Sequence, residues 1–82
     1  MKRSEAKILI YLNQVDKPLK YIMKLAVKLD MDYVYAHRII QSMYEKNWLK
    51  KIRAVKGKKI FYELTETGKN QIEQAILRMS IP

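Results

Sequence analysis

The chain has 82 residues, with 17 Lys or Arg against 8 Asp or Glu and a formal net charge of +9. That length makes one domain, 1–82, and a chain so short hides only about two-thirds of its unfolded surface, which leaves a place for a partner subunit. Cys is absent and the composition is 49% hydrophobic and 30% charged, so a disulfide framework, thiolate metal sites, cysteine catalysis and a disordered chain are all excluded.

Ser4 is the expected N-cap of a first helix running to about Asn13, with Ile8, Leu9, Leu12 and Val15 at the spacing of a core face. Ile10 and Tyr11 fall off that stripe, and a helix apolar on more than one side is usually covered on more than one side. Pro18 breaks the chain. A second helix follows from about Lys20 to Leu29, with Ile22, Leu25, Ala26 and Leu29 as its stripe. Lys20, Lys24 and Lys28 line its other side, either as a solvated face or as a row aimed at phosphates.

Asp30-Met31-Asp32 makes a turn, and Asp32 caps a third helix, 33–46, that buries Ala36, Ile39, Ile40 and Met43. Tyr33, Val34, Tyr35, His37, Arg38 and Gln41 are left outside. Two strands come next, Leu49 to Val55 and Ile60 to Leu64, joined by a polar tip in which Gly57 supplies a positive φ. Thr65 caps a last helix, 66–79, with Ile72, Ala75, Ile76 and Met79 as its stripe and Leu77 beside it.

Two short helices joined by a three-residue turn have the look of a helix-turn-helix, in which the second helix enters the DNA major groove. Arg38 can then donate two hydrogen bonds to guanine and Gln41 can pair with adenine. Tyr33 and Tyr35 suit phosphates or thymine methyls, and His37 suits a phosphate or a base acceptor. From Lys46 to Tyr62 the run Lys46, Lys50, Lys51, Arg53, Lys56, Lys58, Lys59 is uninterrupted by an acid. A hairpin that gathers like charge repels itself, and contact with a phosphate backbone accounts for it, as does lysine protection of an edge strand.

Catalysis finds little support. His37 is the only histidine, Asp30 and Asp32 suit a turn and a cap, Ser4 and Ser42 lack an evident base, and Gly57 and Gly68 make no phosphate loop. No metal and no cofactor is expected. The longest apolar run, Ile8 to Leu12, is far too short for a membrane span, and no signal-peptide pattern follows Met1, so a cytoplasmic protein is expected.

The span from Leu25-Ala26-Val27-Lys28-Leu29 to Glu45-Lys46-Asn47-Trp48-Leu49, followed by Tyr62-Glu63-Leu64-Thr65-Glu66-Thr67-Gly68-Lys69, resembles the winged helix-turn-helix regulators of the MarR-like and PadR-like type. The resemblance covers essentially the whole chain. It implies a mainly α fold with a small β-hairpin, in the order helix-helix-helix-strand-strand-helix, a reader helix 33–46 and a basic wing 49–64. It further implies double-stranded DNA as partner, contacted by Tyr33, Val34, Tyr35, His37, Arg38 and Gln41 from the reader helix and by Arg53, Lys56, Lys58 and Lys59 from the wing, with the Lys24 and Lys28 row alongside. A homodimer is implied through the terminal helices, with Ile10, Tyr11, Ile72, Ile76, Leu77 and Met79 as interface residues. Asp30 and Asn47 stand where that family often has Gly, and both residue types tolerate the left-handed region. The other reading is a winged helix that turns its basic wing on an acidic protein.

Overall fold

The computed structural model describes residues 1–15, 17–53 and 59–80. The tip of the expected hairpin, with Lys56, Gly57 and Lys58, lies outside the described residues. The order is α1 (Arg3–Gln14), α2 (Ile22–Lys28), α3 (Tyr33–Glu45), β1 (Leu49–Arg53), β2 (Ile60–Leu64), α4 (Glu66–Lys69) and α5 (Ile72–Ser80). The expected fold class therefore holds, with the last helix divided in two.

The apolar stripes meet in one core, whose largest fully buried side chains are Ile8, Leu9, Leu25, Ile40, Met43 and Leu49. α2 packs on α3, and α5 packs along α1, where Ala6 and Ala75 are both completely buried. Small side chains there let the two backbones approach closely. Ile72 and Met79 also turn toward the core, but Ile76 does not. It is 52% exposed at the margin of the arc that faces α1, so the expected stripe narrows to Ile72, Ala75 and Met79.

Ser4 is not the cap of α1. The cap is Lys2, whose backbone N–H donates to Glu5 Oε1 at 2.9 Å, so a carboxylate one turn ahead satisfies the orphan amide. Ser4 is instead inside the helix, and its Oγ pairs with the Tyr35 hydroxyl at 3.0 Å. α2 also starts two residues later than expected. Leu19, preceding it, is drawn into a β-bridge with Tyr62: Leu19 N–H donates to Tyr62 O at 2.7 Å and Tyr62 N–H to Leu19 O at 2.9 Å. β2 thus has β1 on one edge and a one-residue strand on the other.

Both helices of the helix-turn-helix end in the same motif. After α2, Asp30 N–H donates to Val27 O and Met31 N–H to Ala26 O; after α3, Asn47 N–H donates to Tyr44 O and Trp48 N–H to Met43 O. These are Schellman closures, and each places one residue in the left-handed region, Asp30 at φ 53° and Asn47 at φ 64°. The two expected substitutes for glycine sit where glycine would be needed. Asp32 caps α3 as expected, accepting from Tyr35 N–H at 3.1 Å.

Thr65 ties the hairpin's end to the exit of α3. Its N–H donates to Trp48 O at 3.0 Å, its hydroxyl donates to Asn47 O at 2.6 Å, and the same hydroxyl accepts from Gly68 N–H at 3.0 Å. Gly68 is pressed so close that a Cβ would lie 2.2 Å from Trp48 O. α4 therefore docks against the α3 exit, while α5 must follow α1. The helix breaks at Asn70 and Gln71 to serve both, with Gln71 N–H bonded to Gly68 O and Ala75 N–H to Gln71 O.

One carboxylate is buried. Glu5 is 3% exposed, and its Oε2 accepts from Lys46 Nζ at 2.6 Å. Burial pushes the carboxyl up, but the Lys46 hydrogen bond, the Lys2 backbone N–H and the Lys46 charge together outweigh it and hold the group below 4.5. A carboxyl depressed on folding adds stability that is complete above its unfolded value and is lost as the pH falls through the lowered one.

Substitutions at three of these positions test the contacts. In urea titrations Gly68→Ala loses at least about 2 kcal/mol, because backbone must move to admit the methyl group. Asn47→Gly is neutral or gains up to about 1 kcal/mol, whereas Asn47→Val loses about 1–2 kcal/mol through its left-handed φ. Glu5→Gln costs about 1–2 kcal/mol at neutral pH, less than a fully buried pair because Lys46 is half exposed. That gap closes as the pH is taken below 4.5 and the native carboxyl protonates.

Candidate nucleic-acid interface

α3 is apolar on a single arc. Ala36, Ile39, Ile40 and Met43 are buried, which points Val34, Arg38 and Gln41 away from the core along the crest of the helix. Val34 and Arg38 are exposed there and Gln41 is half-buried. Tyr33 and His37 lie on one flank, one turn apart, with ring centroids 6.1 Å from each other. Tyr35 lies on the opposite flank, toward α1, with its hydroxyl engaged by Ser4. The six expected reader residues are thus all on α3, five on the crest and one flank, with Tyr35 turned away.

The hairpin register sets which of its side chains share a face. Leu49 pairs with Leu64, Lys51 with Tyr62 and Arg53 with Ile60, so these six point one way. Lys50, Ile52, Phe61 and Glu63 point the other way, and Lys50 reaches Glu63 across the strands at 3.9 Å. The first set faces α3. Lys51 Nζ stands 4.2 Å from the centroid of the Tyr44 ring, and Ile60 shares a shallow cleft of about 290 Å³ with Tyr33 and His37. Lys51 and Arg53 are therefore on the same side of the molecule as the reader flank of α3.

The far wall of that cleft is the start of α2, through Lys20, Tyr21 and Met23. Lys24 and Lys28 continue from it along the exposed side of α2. Among the described residues the ion pairs are Lys46 with Glu5, Lys50 with Glu63 and Lys69 with Glu66. Lys20, Lys24, Lys28, Arg38, Lys51, Arg53 and Lys59 belong to none of them, so these cations around the cleft have no carboxylate partner among the described residues.

Five contributors escaped the expected set: Lys20, Tyr21, Met23, Tyr44 and Lys51. Tyr21 and Met23 are 45% and 54% exposed large side chains off the α2 stripe. Off-stripe aromatics are the same signal that marked Tyr33 and Tyr35 on α3. Lys51 belongs to the basic run, but its placement on Tyr44 depends on the strand register.

The expected pairing residues occupy a different side. Ile10, Tyr11 and Met79 are half-buried and, with Leu29, line a shallow apolar depression of about 260 Å³ between α1 and α5. Ile72 is half-buried against the core, and Ile76 and Leu77 are exposed on α5. Among the described residues no three His, Asp or Glu side chains converge, and no helix is long and apolar enough to cross a membrane.

No protein-family model matches the sequence, and no curated protein matches it either. Solved structures do match. The adhesin competence repressor AdcR from Streptococcus pyogenes superposes with a TM-score of 0.77 at 20% identity, covering 98% of this chain and 58% of that one. Lactococcus lactis ZitR, solved in complex with DNA, gives 0.77 at 16% identity over 98% of this chain and 53% of its own. MarR from E. coli in its apo form gives 0.77 at 18% identity over 92% and 55%. The chain spans little more than half the length of each. Hairpin, helix-turn-helix and flanking helices together have the winged-helix fold that these regulators share.

Proposed function

We propose that this chain binds double-stranded DNA as a transcriptional regulator of the MarR-like kind. One observation carries the reading: the exposed crest and flank of α3 adjoin the hairpin face that bears Lys51 and Arg53, with no carboxylate paired to either among the described residues. A helix presented beside a cationic ribbon matches a major groove bordered by phosphates. The shared fold with ZitR, a protein solved on DNA, supports the same reading.

Val34, Arg38 and Gln41 on the crest read base edges, with Arg38 bidentate to guanine. Tyr33 and His37 meet the flanking backbone, and Tyr35 holds the entry of α3 against α1. Lys24, Lys28, Arg53 and Lys59 neutralise phosphates, with Lys56 and Lys58 as further contacts to the minor groove or backbone. Two chains pair through α1 and α5, with Ile10, Tyr11, Ile72, Ile76, Leu77 and Met79 at the seam, which sets two α3 helices about one DNA turn apart.

Selection of bound sites from random duplex DNA tests the whole reading, with an enriched pseudo-palindrome as the expected result. Absence of duplex binding at about 50 mM salt overturns it and favours an acidic protein partner. On the best site Arg38→Ala costs about 1–3 kcal/mol and relaxes preference at one position. Lys51→Ala with Arg53→Ala instead weakens all sequences alike and flattens the salt dependence. For the assembly, Ile76→Glu with Leu77→Glu yields monomers by light scattering with unchanged circular dichroism. A dimer that persists in that variant excludes α5 from the seam.

A further inference from the structure

The bridge between Leu19 and Tyr62 has a local result beyond holding the sheet. It is antiparallel, so the residues after Leu19 run back along those before Tyr62. Tyr21 is extended, at φ −124° and ψ 112°, and comes to lie beside Ile60, with Lys59 next in the chain. Two segments almost forty residues apart in sequence thereby bring their cations to one phenol.

Lys20 Nζ stands 5.2 Å and Lys24 Nζ 5.3 Å from the Tyr21 ring centroid. The Lys20 ammonium, by hydrogen bond and by charge, holds the Tyr21 hydroxyl below the usual phenol range, and Lys59 adds to it from across the bridge. None of the three lysines has a carboxylate partner among the described residues. Ammonium groups gathered around a hydroxyl donor repel one another until an oxyanion sits among them.

We propose that Lys20, Tyr21, Lys24 and Lys59 form one phosphate clamp, which seats a single backbone phosphate of the duplex at the seam between the helix-turn-helix and the hairpin. The clamp rests on the DNA-binding reading above. A phosphodiester is its ligand because the same cleft continues onto Tyr33 and His37 of α3, so the seated phosphate belongs to the strand bordering the groove that α3 enters. Lys20 and Lys59 donate to its oxygens, Lys24 supplies charge from the next turn, and the Tyr21 hydroxyl donates a hydrogen bond.

A clamp differs from scattered contacts in its salt dependence. With the full chain and mixed-sequence duplex DNA, anisotropy titrations over a range of salt give the slope of log Kobs against log salt. Lys20→Ala, Lys59→Ala and their double variant each lower that slope by about 0.9, one phosphate's worth, because all lose the same contact. Tyr21→Phe weakens binding about three- to tenfold with the slope unchanged, since it removes a donor and no charge. Lys69→Ala, on α4, leaves both quantities as they were. All the substituted side chains are exposed, so the fold is retained. If the wild-type chain binds but the double variant lowers the slope by about twice as much as either single one, or Tyr21→Phe binds like wild type, the clamp is wrong and the DNA reading stands. If the wild-type chain fails to bind at low salt, the DNA reading falls and the clamp falls with it.

Discussion

Two backbone hydrogen bonds between Leu19 and Tyr62 decide how the two halves of this molecule meet. A two-stranded hairpin is marginal by itself, and its direction would be set only by its turn and its covalent ends. Here the inner strand gains a second pairing partner from the segment just before the helix-turn-helix. That pairing draws Lys20 and Tyr21 out of helical conformation, sets the face with Lys51 and Arg53 toward α3, and encloses the cleft that the two elements share. The second fastening, Thr65 on Asn47 and Trp48, holds the C-terminal end of the same strand to the exit of α3. Between them the ribbon has no freedom to swing away at its base.

The charge distribution makes sense against that rigidity. Cations held close on a fixed frame cannot relax apart, so the folded state carries their mutual repulsion. The half-buried pair of Glu5 with Lys46 and the surface pairs of Lys50 with Glu63 and Lys69 with Glu66 show the chain neutralising lysines elsewhere. Around the cleft, among the described residues, it does not. The difference in treatment marks out one face of the molecule more sharply than the total of +9 does.

Much of the architecture was legible in the residues. The stripes of α2 and α3, the Asp32 and Thr65 caps and the second strand follow from periodicity and local hydrogen bonding, which depend on near neighbours. Asp30 and Asn47 were readable as left-handed positions for the same reason. What was not legible depends on distant partners. A one-residue bridge leaves no periodic trace, so the late start of α2 and the extended placement of Tyr21 were hidden. The division of the last helix reflects Gly68 docking on Trp48 O, a contact between residues twenty apart. Helical spacing marked Tyr35 as off the core, but only the hydroxyl contact with Ser4 reveals which side it takes. The lysine-cap of α1 needed the reach of Glu5, whose other oxygen accepts from Lys46, just past the end of α3.

Ser4 and Glu5, adjacent in the first turn of α1, hold opposite ends of α3: one meets Tyr35 near its beginning, the other Lys46 at its close. A rod secured at both ends to a single turn of another rod has lost its independent tilt. It can be re-aimed only by carrying α1 with it, so the heading of α3 is inherited from the helix behind it, as a compass needle soldered to its case turns only with the case.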